Sequence, residues 1–264
     1  YKRQVGIFAH PDDEGFGSGG TLAMLASHGH SITIVCATNG DVGEISDPCL
    51  ATPETLGSVR KSELRCAMKV TGIHDIRFLD YRDSGMEGTQ DNRHPNALIN
   101  SEPAMVINQI STILSSINPD VILTHDPTGG YGHPDHLTVH RRVTSVVHSM
   151  NSDRPYLYYV CFPKSNFRKL WQQMTDAGIT PPFAKEQLEN IGSPDDYVTT
   201  VRDVSNYVDV KKASLNCHQT QLDPTGPFSK MAPESLSEWM STEYFYLTTP
   251  SSKASQHDIL LNLS

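Results

Sequence analysis

The chain has little positive charge to spare. Its 21 Lys and Arg face 30 Asp and Glu, a formal net charge of −9 over 264 residues. Such a surface repels a phosphate backbone, and no Lys/Arg cluster or basic stripe reverses the balance, so nucleic acid is excluded as a partner. Also missing is any uninterrupted apolar run of the ~20 residues needed to span a bilayer. Tyr1-Lys-Arg-Gln4 lead straight into a strand-like stretch, so no signal peptide is expected. Cysteine is sparse: Cys36, Cys49, Cys66, Cys161 and Cys217 are scattered, odd in number and without a Cys-x-x-Cys pair. Cys36, inside the apolar run 32–36, reads as a buried hydrophobe. A cytoplasmic, disulfide-free protein is the expectation. Internal repeats and low-complexity segments are absent too.

What is present is a core-forming pattern, with 37% hydrophobic residues. Residues 5–9 read as a first strand and 21–26 as a helix stopped near Gly29. A β-branched strand follows at 31–38. Residues 55–71 have helical spacing, with Leu56, Val59, Leu64, Ala67, Met68 and Thr71 approximating one face before Gly72. Strands at 76–81, 120–125 and 156–162 alternate with helices at 103–117 and 134–149. This βαβαβαβαβ order predicts an α/β fold: an open, mostly parallel sheet with helices on both faces. After about residue 163 the chain is less regular and richer in Pro. A strand at 197–202, a helix at 207–217 and a final strand at 243–247 are expected there, as an elaboration of the same domain.

If the strand order is 3-2-1-4-5, strands one and four are neighbours, and the loops that follow them diverge at a switch point where ligands bind. The first of these loops is His10-Pro-Asp-Asp-Glu14; the second runs from His125 to His136 and ends in His133-Pro-Asp-His136. Three acids at the end of a core strand repel one another unless a cation or donors compensate. Pro134 suits the first turn of a helix, and Asp135 suits the positive end of its dipole. His133 and His136, three apart, can face a common point. Two His, one carboxylate and an open position match a catalytic zinc site, and the same set also holds ferrous iron. Gly15-Phe-Gly17-Ser-Gly-Gly20 literally fits a dinucleotide-binding pattern, with Asp41 about twenty residues on. Acids beside a pyrophosphate would repel it, however, and small residues also let a helix pack closely on a sheet.

With these motifs together, the chain resembles the LmbE/PIG-L-like family of metal-dependent N-acetylglucosaminyl deacetylases. The resemblance covers at least residues 5–150 and implies a Rossmann-like core over 1–162, with a substrate-shaping elaboration over 163–264, in a single deacetylase domain. It implies His10, Asp13 and His136 as ligands of zinc (or ferrous iron), and Asp12 as the base that takes a proton from the attacking water. It further implies His133 as the oxyanion donor, held protonated by Asp135. Tyr131 resembles a carbonyl-donating tyrosine, and Arg60 and Asp83 resemble positions that bind sugar hydroxyls. The implied partner is a small N-acetyl sugar conjugate, and some relatives form trimers or hexamers. Lys211 to Gln221 also resembles a family feature, without an assigned role. Alternatives to the deacetylase are a noncatalytic sugar-binding relative, a metal phosphoesterase and, last, a dinucleotide-binding protein. Glu14, Asp41 and Glu44 read either as supports for the site or as solvated loop acids, Asp41 as the latter; Glu14 has no assigned role, and His125 and Asp126 sit at the edge of the site.

Overall fold

The computed structural model describes residues 2–150 and 154–248. The part of the expected domain at 249–264 lies outside the described residues. Seven strands form one sheet in the order β3-β2-β1-β4-β5-β7-β6. They are β1 (Arg3–Phe8), β2 (Ser31–Thr38), β3 (Asp75–Tyr81), β4 (Val121–His125), β5 (Tyr156–Cys161), β6 (Thr200–Asp203) and β7 (Thr242–Leu247). The first five are parallel, as the alternating pattern predicts, and β7 and β6 extend the sheet antiparallel beyond β5.

Alternation along each strand sends its residues to two cores. Val5, Ile7 and Ala9, with Val35, Ala37 and Ile122, face one side. There they meet Val106, Ile110 and Leu114 of α3 (Pro103–Ile117) and Val139, Val143 and Val146 of α5 (Pro134–Ser149). Phe8, Ile34, Cys36 and Leu123 face the other side. They pack against Leu22 and Leu25 of α1 (Asp13–Ser27) and Leu64, Ala67 and Met68 of α2 (Leu56–Thr71). Truncating one of these buried leucines to Ala costs about 2–5 kcal/mol. β1 therefore lies between β2 and β4 with α1 leaving on one face and α5 on the other, the switch point inferred from sequence.

Three expectations are corrected. Helix α1 starts at Asp13, not near residue 21, so Asp13 and Glu14 enter its first turn with Asp12 at the N-cap, and the glycine-rich run lies within the helix. Gly has low helix propensity, but packing overrides it here. A Cβ on Gly15 would meet Leu215 Cδ2 at 2.6 Å, and one on Gly20 would meet Val204 Cγ2 at 2.6 Å. These glycines seat the helix, and a pyrophosphate loop is ruled out for them. Second, the C-terminal part holds helices beyond the expected one: α6 (Lys164–Asp176) and α8 (Pro233–Met240) flank α7 (Val208–Leu215). An irregular turn, α4 (Gly129–Gly132), precedes α5. Third, the disulfide-free expectation fails. Cys66 and Cys217 are joined across 151 residues with Cα atoms 5.7 Å apart, while Cys36, Cys49 and Cys161 remain free thiols. The argument from cysteine to compartment falls with it. Among the described residues, no helix is long and apolar enough to cross a membrane.

Candidate metal centre and active site

β1 ends by delivering His10, and β4 ends at His125; the chain then turns through α4 so that His133, at the N-cap of α5, leads Asp135 and His136 into its first turn. The two loops meet as expected. His10 Nδ1 lies 3.2 Å from His136 Nε2 and 3.3 Å from Asp13 Oδ2, and His136 Nε2 lies 3.2 Å from Asp13 Oδ1. Donors in a tetrahedral zinc site, each about 2.0–2.1 Å from the ion, are about 3.3–3.4 Å apart. The contacts have this spacing, with Asp13 reaching His10 through Oδ2 and His136 through Oδ1, so its carboxylate straddles the two imidazoles.

The tautomers fit as well. A backbone carbonyl only accepts, so the 3.0 Å contact from His136 Nδ1 to Gly129 O fixes the proton on Nδ1 and leaves the Nε2 lone pair facing the triangle. On His10, Nε2 faces Asp135 Oδ2 at 3.3 Å and Asp83 Oδ1 at 3.5 Å, which turns the Nδ1 lone pair toward the same point. The surrounding charges also call for a cation. Burial opposes protonation of His10, yet Asp83, Asp13 and Asp135 overcome it and hold its pKa well above the ordinary value. Asp13, despite burial, is held well below the carboxylate range by His136 and His10. Among the described residues, three sets bring one donor atom per residue close enough to share a metal: His10, His133 and His136; Asp13, His125 and His136; and His10, Asp83, His133 and Asp135.

Asp12 differs from its neighbour. Its backbone is left-handed, φ 118°, a strained conformation for a residue with a side chain. Its Oδ2 accepts from Arg60 Nη2 at 3.0 Å. Burial, aided by the charges of Asp13 and Glu14 and opposed by Arg60 and His218, raises its pKa to about 6. The carboxylate beside it binds the imidazoles; this one is left poised to exchange a proton near neutral pH.

Several expected partnerships are rearranged. Asp135 does not hold His133 protonated. Its carboxylate accepts from the backbone N–H and hydroxyl of Ser84 and faces His10, whereas His133 Nδ1 accepts from the Asp135 backbone N–H at 3.2 Å. Burial, with His10 and His136 nearby, lowers His133 to about 4, so its ring is neutral with a donor N–H on Nε2. Arg60 is not a surface charge. It is 4% exposed and donates to Gly40 O, Pro11 O and Asp12, leaving its guanidinium turned to the protein rather than to a sugar. Asp83 is buried, accepts from Gly85 N–H and sits beside His10; the His10 charge holds its carboxyl below the usual range even against burial. Tyr131 is 54% exposed, its ring centroid 5.2 Å from that of His136, at the mouth of the cluster.

Sequence reasoning placed His125 and Asp126 at the edge of the site but missed the partners of Asp41 and Glu14. His125 is buried, stacked 4.1 Å from His136, and its Nε2 accepts from Ala9 N–H; burial and the His136 charge hold it neutral. Asp126 accepts from Thr128, Gly130 N–H and Ser193. Asp41, read as a solvated acid, accepts from Asp83 N–H at 3.0 Å. Glu44 is exposed, and its backbone carbonyl accepts from Gln221 Nε2. Glu14 Oε2 accepts from Asp12 N–H at 2.9 Å, and its Oε1 pairs with His218 Nε2 at 2.9 Å. The signal for that pair was present in the unassigned stretch 211–221, but a span of 204 residues cannot be bridged from sequence pattern alone.

Comparisons with known proteins bear on the family and the fold. Residues 5–147 match the PIG-L family, described as GlcNAc-PI de-N-acetylase. A 1D-myo-inositol 2-acetamido-2-deoxy-alpha-D-glucopyranoside deacetylase from Acidothermus cellulolyticus is 37% identical over 253 residues, 91% of this chain and 87% of that one. Among solved structures, N,N'-diacetylchitobiose deacetylase from Pyrococcus horikoshii aligns with TM-score 0.63 and 20% identity, over 94% of this chain and 84% of that one. A 4-carboxy-2-hydroxymuconate hydratase from Pseudomonas putida shares the fold at TM-score 0.59 and 17% identity, over 97% and 99%. The fold alone thus does not choose the reaction. The motif-bearing segment, matched over 5–147, places this chain in the PIG-L family.

Proposed function

We propose that this chain is a zinc-dependent N-deacetylase, a hydrolase that removes the acetyl group from an N-acetylglucosamine-type conjugate. The carrying observation is the donor triangle of His10, Asp13 and His136 beside a second carboxylate, Asp12, whose pKa is raised to about 6. The relative at 37% identity supports glucosaminyl inositol as the first conjugate to test. The range 1–264 is taken as one deacetylase domain.

Zinc held by His10, Asp13 and His136 would polarise the amide carbonyl and lower the pKa of the attacking water toward about 7. Ferrous iron suits the same donors. Asp12 accepts the water proton and later passes it to the departing amine. Arg60, placed by sequence among the sugar contacts, is assigned here to holding Asp12. His133 offers a neutral N–H to the developing oxyanion, and Asp135 orients His10. Tyr131 closes the mouth, where its hydroxyl can reach the carbonyl oxygen. Asp83 remains the contact for a sugar hydroxyl. A phosphoesterase would need cations free to meet phosphate, and Arg60 is already engaged.

The test is acetate release from a panel of N-acetylglucosamine conjugates by the zinc-loaded wild type and by Asp12→Ala. Release by wild type, with loss in the variant, supports the reading. No release from any conjugate overturns the deacetylase, and an equally active variant overturns Asp12 as base.

A further inference from the structure

We propose that His218 and Glu14 are positioning residues for Asp12, holding its backbone in the conformation that aims its carboxylate into the site. The inference rests on the role given to Asp12 above and extends it to two residues that touch neither substrate nor the triangle's donor atoms. Asp12 occupies φ 118°, ψ −26°, a region that a residue with a Cβ leaves unless its surroundings prevent it. Its carboxylate is clamped by Arg60. Its backbone N–H is turned to Glu14 Oε2 at 2.9 Å, and the other Glu14 oxygen receives His218 Nε2 at 2.9 Å. Glu14 and His218 are each 1% exposed, so water does not substitute for either bond.

His218 is itself rigidly delivered. Leu215, one turn earlier, fills the space that a side chain on Gly15 would occupy. Two residues later, Thr220 donates its N–H and hydroxyl to buried Glu63 of α2 at 2.8 and 2.7 Å. Cys217 is tied to Cys66 of the same helix. The helix that carries Arg60 thus also anchors the segment that carries His218, and both clamps on Asp12 move as one body. His218 Nδ1 is buried without a hydrogen-bond partner among the described residues. An imidazole with one nitrogen unsatisfied is a poor packing choice, and its Nε2 bond is what accounts for it.

Kinetics, metal content and crystal structures of the metal-free protein are compared for wild type, His218→Ala and His218→Gln, the last retaining a donor near the Nε2 position. For His218→Ala the expected result is a kcat lower by about 10²-fold, the scale of a small misplacement of a reacting group. KM should stay within about twofold and zinc per chain should match wild type. His218→Gln should recover about tenfold of that loss. In the crystals, Asp12 should relax to negative φ in His218→Ala and keep its positive φ in His218→Gln. A wild-type kcat or an unmoved Asp12 in His218→Ala overturns the proposal. So does a His218→Gln as impaired as His218→Ala, or metal loss that accounts for the defect. If wild type releases no acetate from any conjugate, the deacetylase reading fails by itself, and the Asp12 conformation in the crystals still decides the positioning.

Discussion

Helix α1 carries two buried charge clusters, one at its first turn and one at its waist, and they are built differently. At the waist, Lys211 Nζ pairs with Glu243 Oε1 at 2.8 Å, the two side chains 2% and 1% exposed. The Glu243 carboxylate also accepts from Gly20 N–H and Thr21 N–H, each at 2.8 Å. One cation meets one anion, and donors complete the rest. At the first turn, Asp12, Asp13 and Glu14 crowd with Asp83 and Asp135, and the groups that answer them include four imidazoles. Burial of charge is common to both, so burial does not mark function. What separates them is balance: the waist is closed within the protein, whereas the first turn leaves acids competing for protons and two imidazole lone pairs converging on one point.

Substitutions can break this contrast. The largest effect on rate belongs to Asp12→Asn, which should lower acetate release by about 10²–10⁴-fold with zinc content retained. Stability should move the other way. The folded pKa of Asp12, about 6, exceeds its unfolded value, so its contribution to stability is present at low pH and lost as pH rises through about 6. The variant should then melt no lower than wild type at pH 7.5. Loss of stability together with activity would make Asp12 scaffold.

Next is Lys211→Met, which strands Glu243 in the core. It should cost about 3–5 kcal/mol in denaturant unfolding while the folded fraction keeps wild-type kcat. A fall in kcat per folded molecule would show that the waist is coupled to the chemistry.

A smaller effect tests the electrostatics of the first turn. With Asp12 as the proposed base, its ionised form is the one that accepts the water proton, so kcat/KM should rise with pH along an acid limb near 6. Arg60 favours the ionised form, so Arg60→Gln should move that limb to higher pH; a shift to lower pH would contradict the ion pair. The smallest effect is expected at Lys169 and Glu238, paired at 2.8 Å with side chains 58% and 60% exposed. Lys169→Ala should leave both Tm and kcat unchanged within error, because solvent screens such a pair.

The parallel core and the meeting of the two histidine loops were legible because hydrophobic periodicity and strand order are encoded locally. Val5, Ile7 and Ala9 alternate with Phe8 across the sheet as the run of residues 5–9 implies. The start of α1 was not legible, since Gly15, Gly17, Gly19 and Gly20 argue against a helix until Leu215 and Val204 are known to press on it. The pairing of His133 with Asp135 was misjudged for a related reason. Residues two apart at a helix start look like natural partners, but Ser84, which arrives after β3, captures the Asp135 carboxylate. Cys66 with Cys217, and Glu14 with His218, depend on where α7 docks, and no local pattern specifies that.

The bond between Gly20 N–H and Glu243 spans 223 positions, and that between Glu14 and His218 spans 204. Helix α1 is therefore made well before the segments that complete its contacts. Until residue 218 is made, Glu14 lacks the imidazole that holds it beside Asp12; until residue 243 is made, the helix lacks its grip at the waist. On the proposed roles, a nascent chain that stops short of residue 218 holds Asp12 and Glu14 without the imidazole that fixes them.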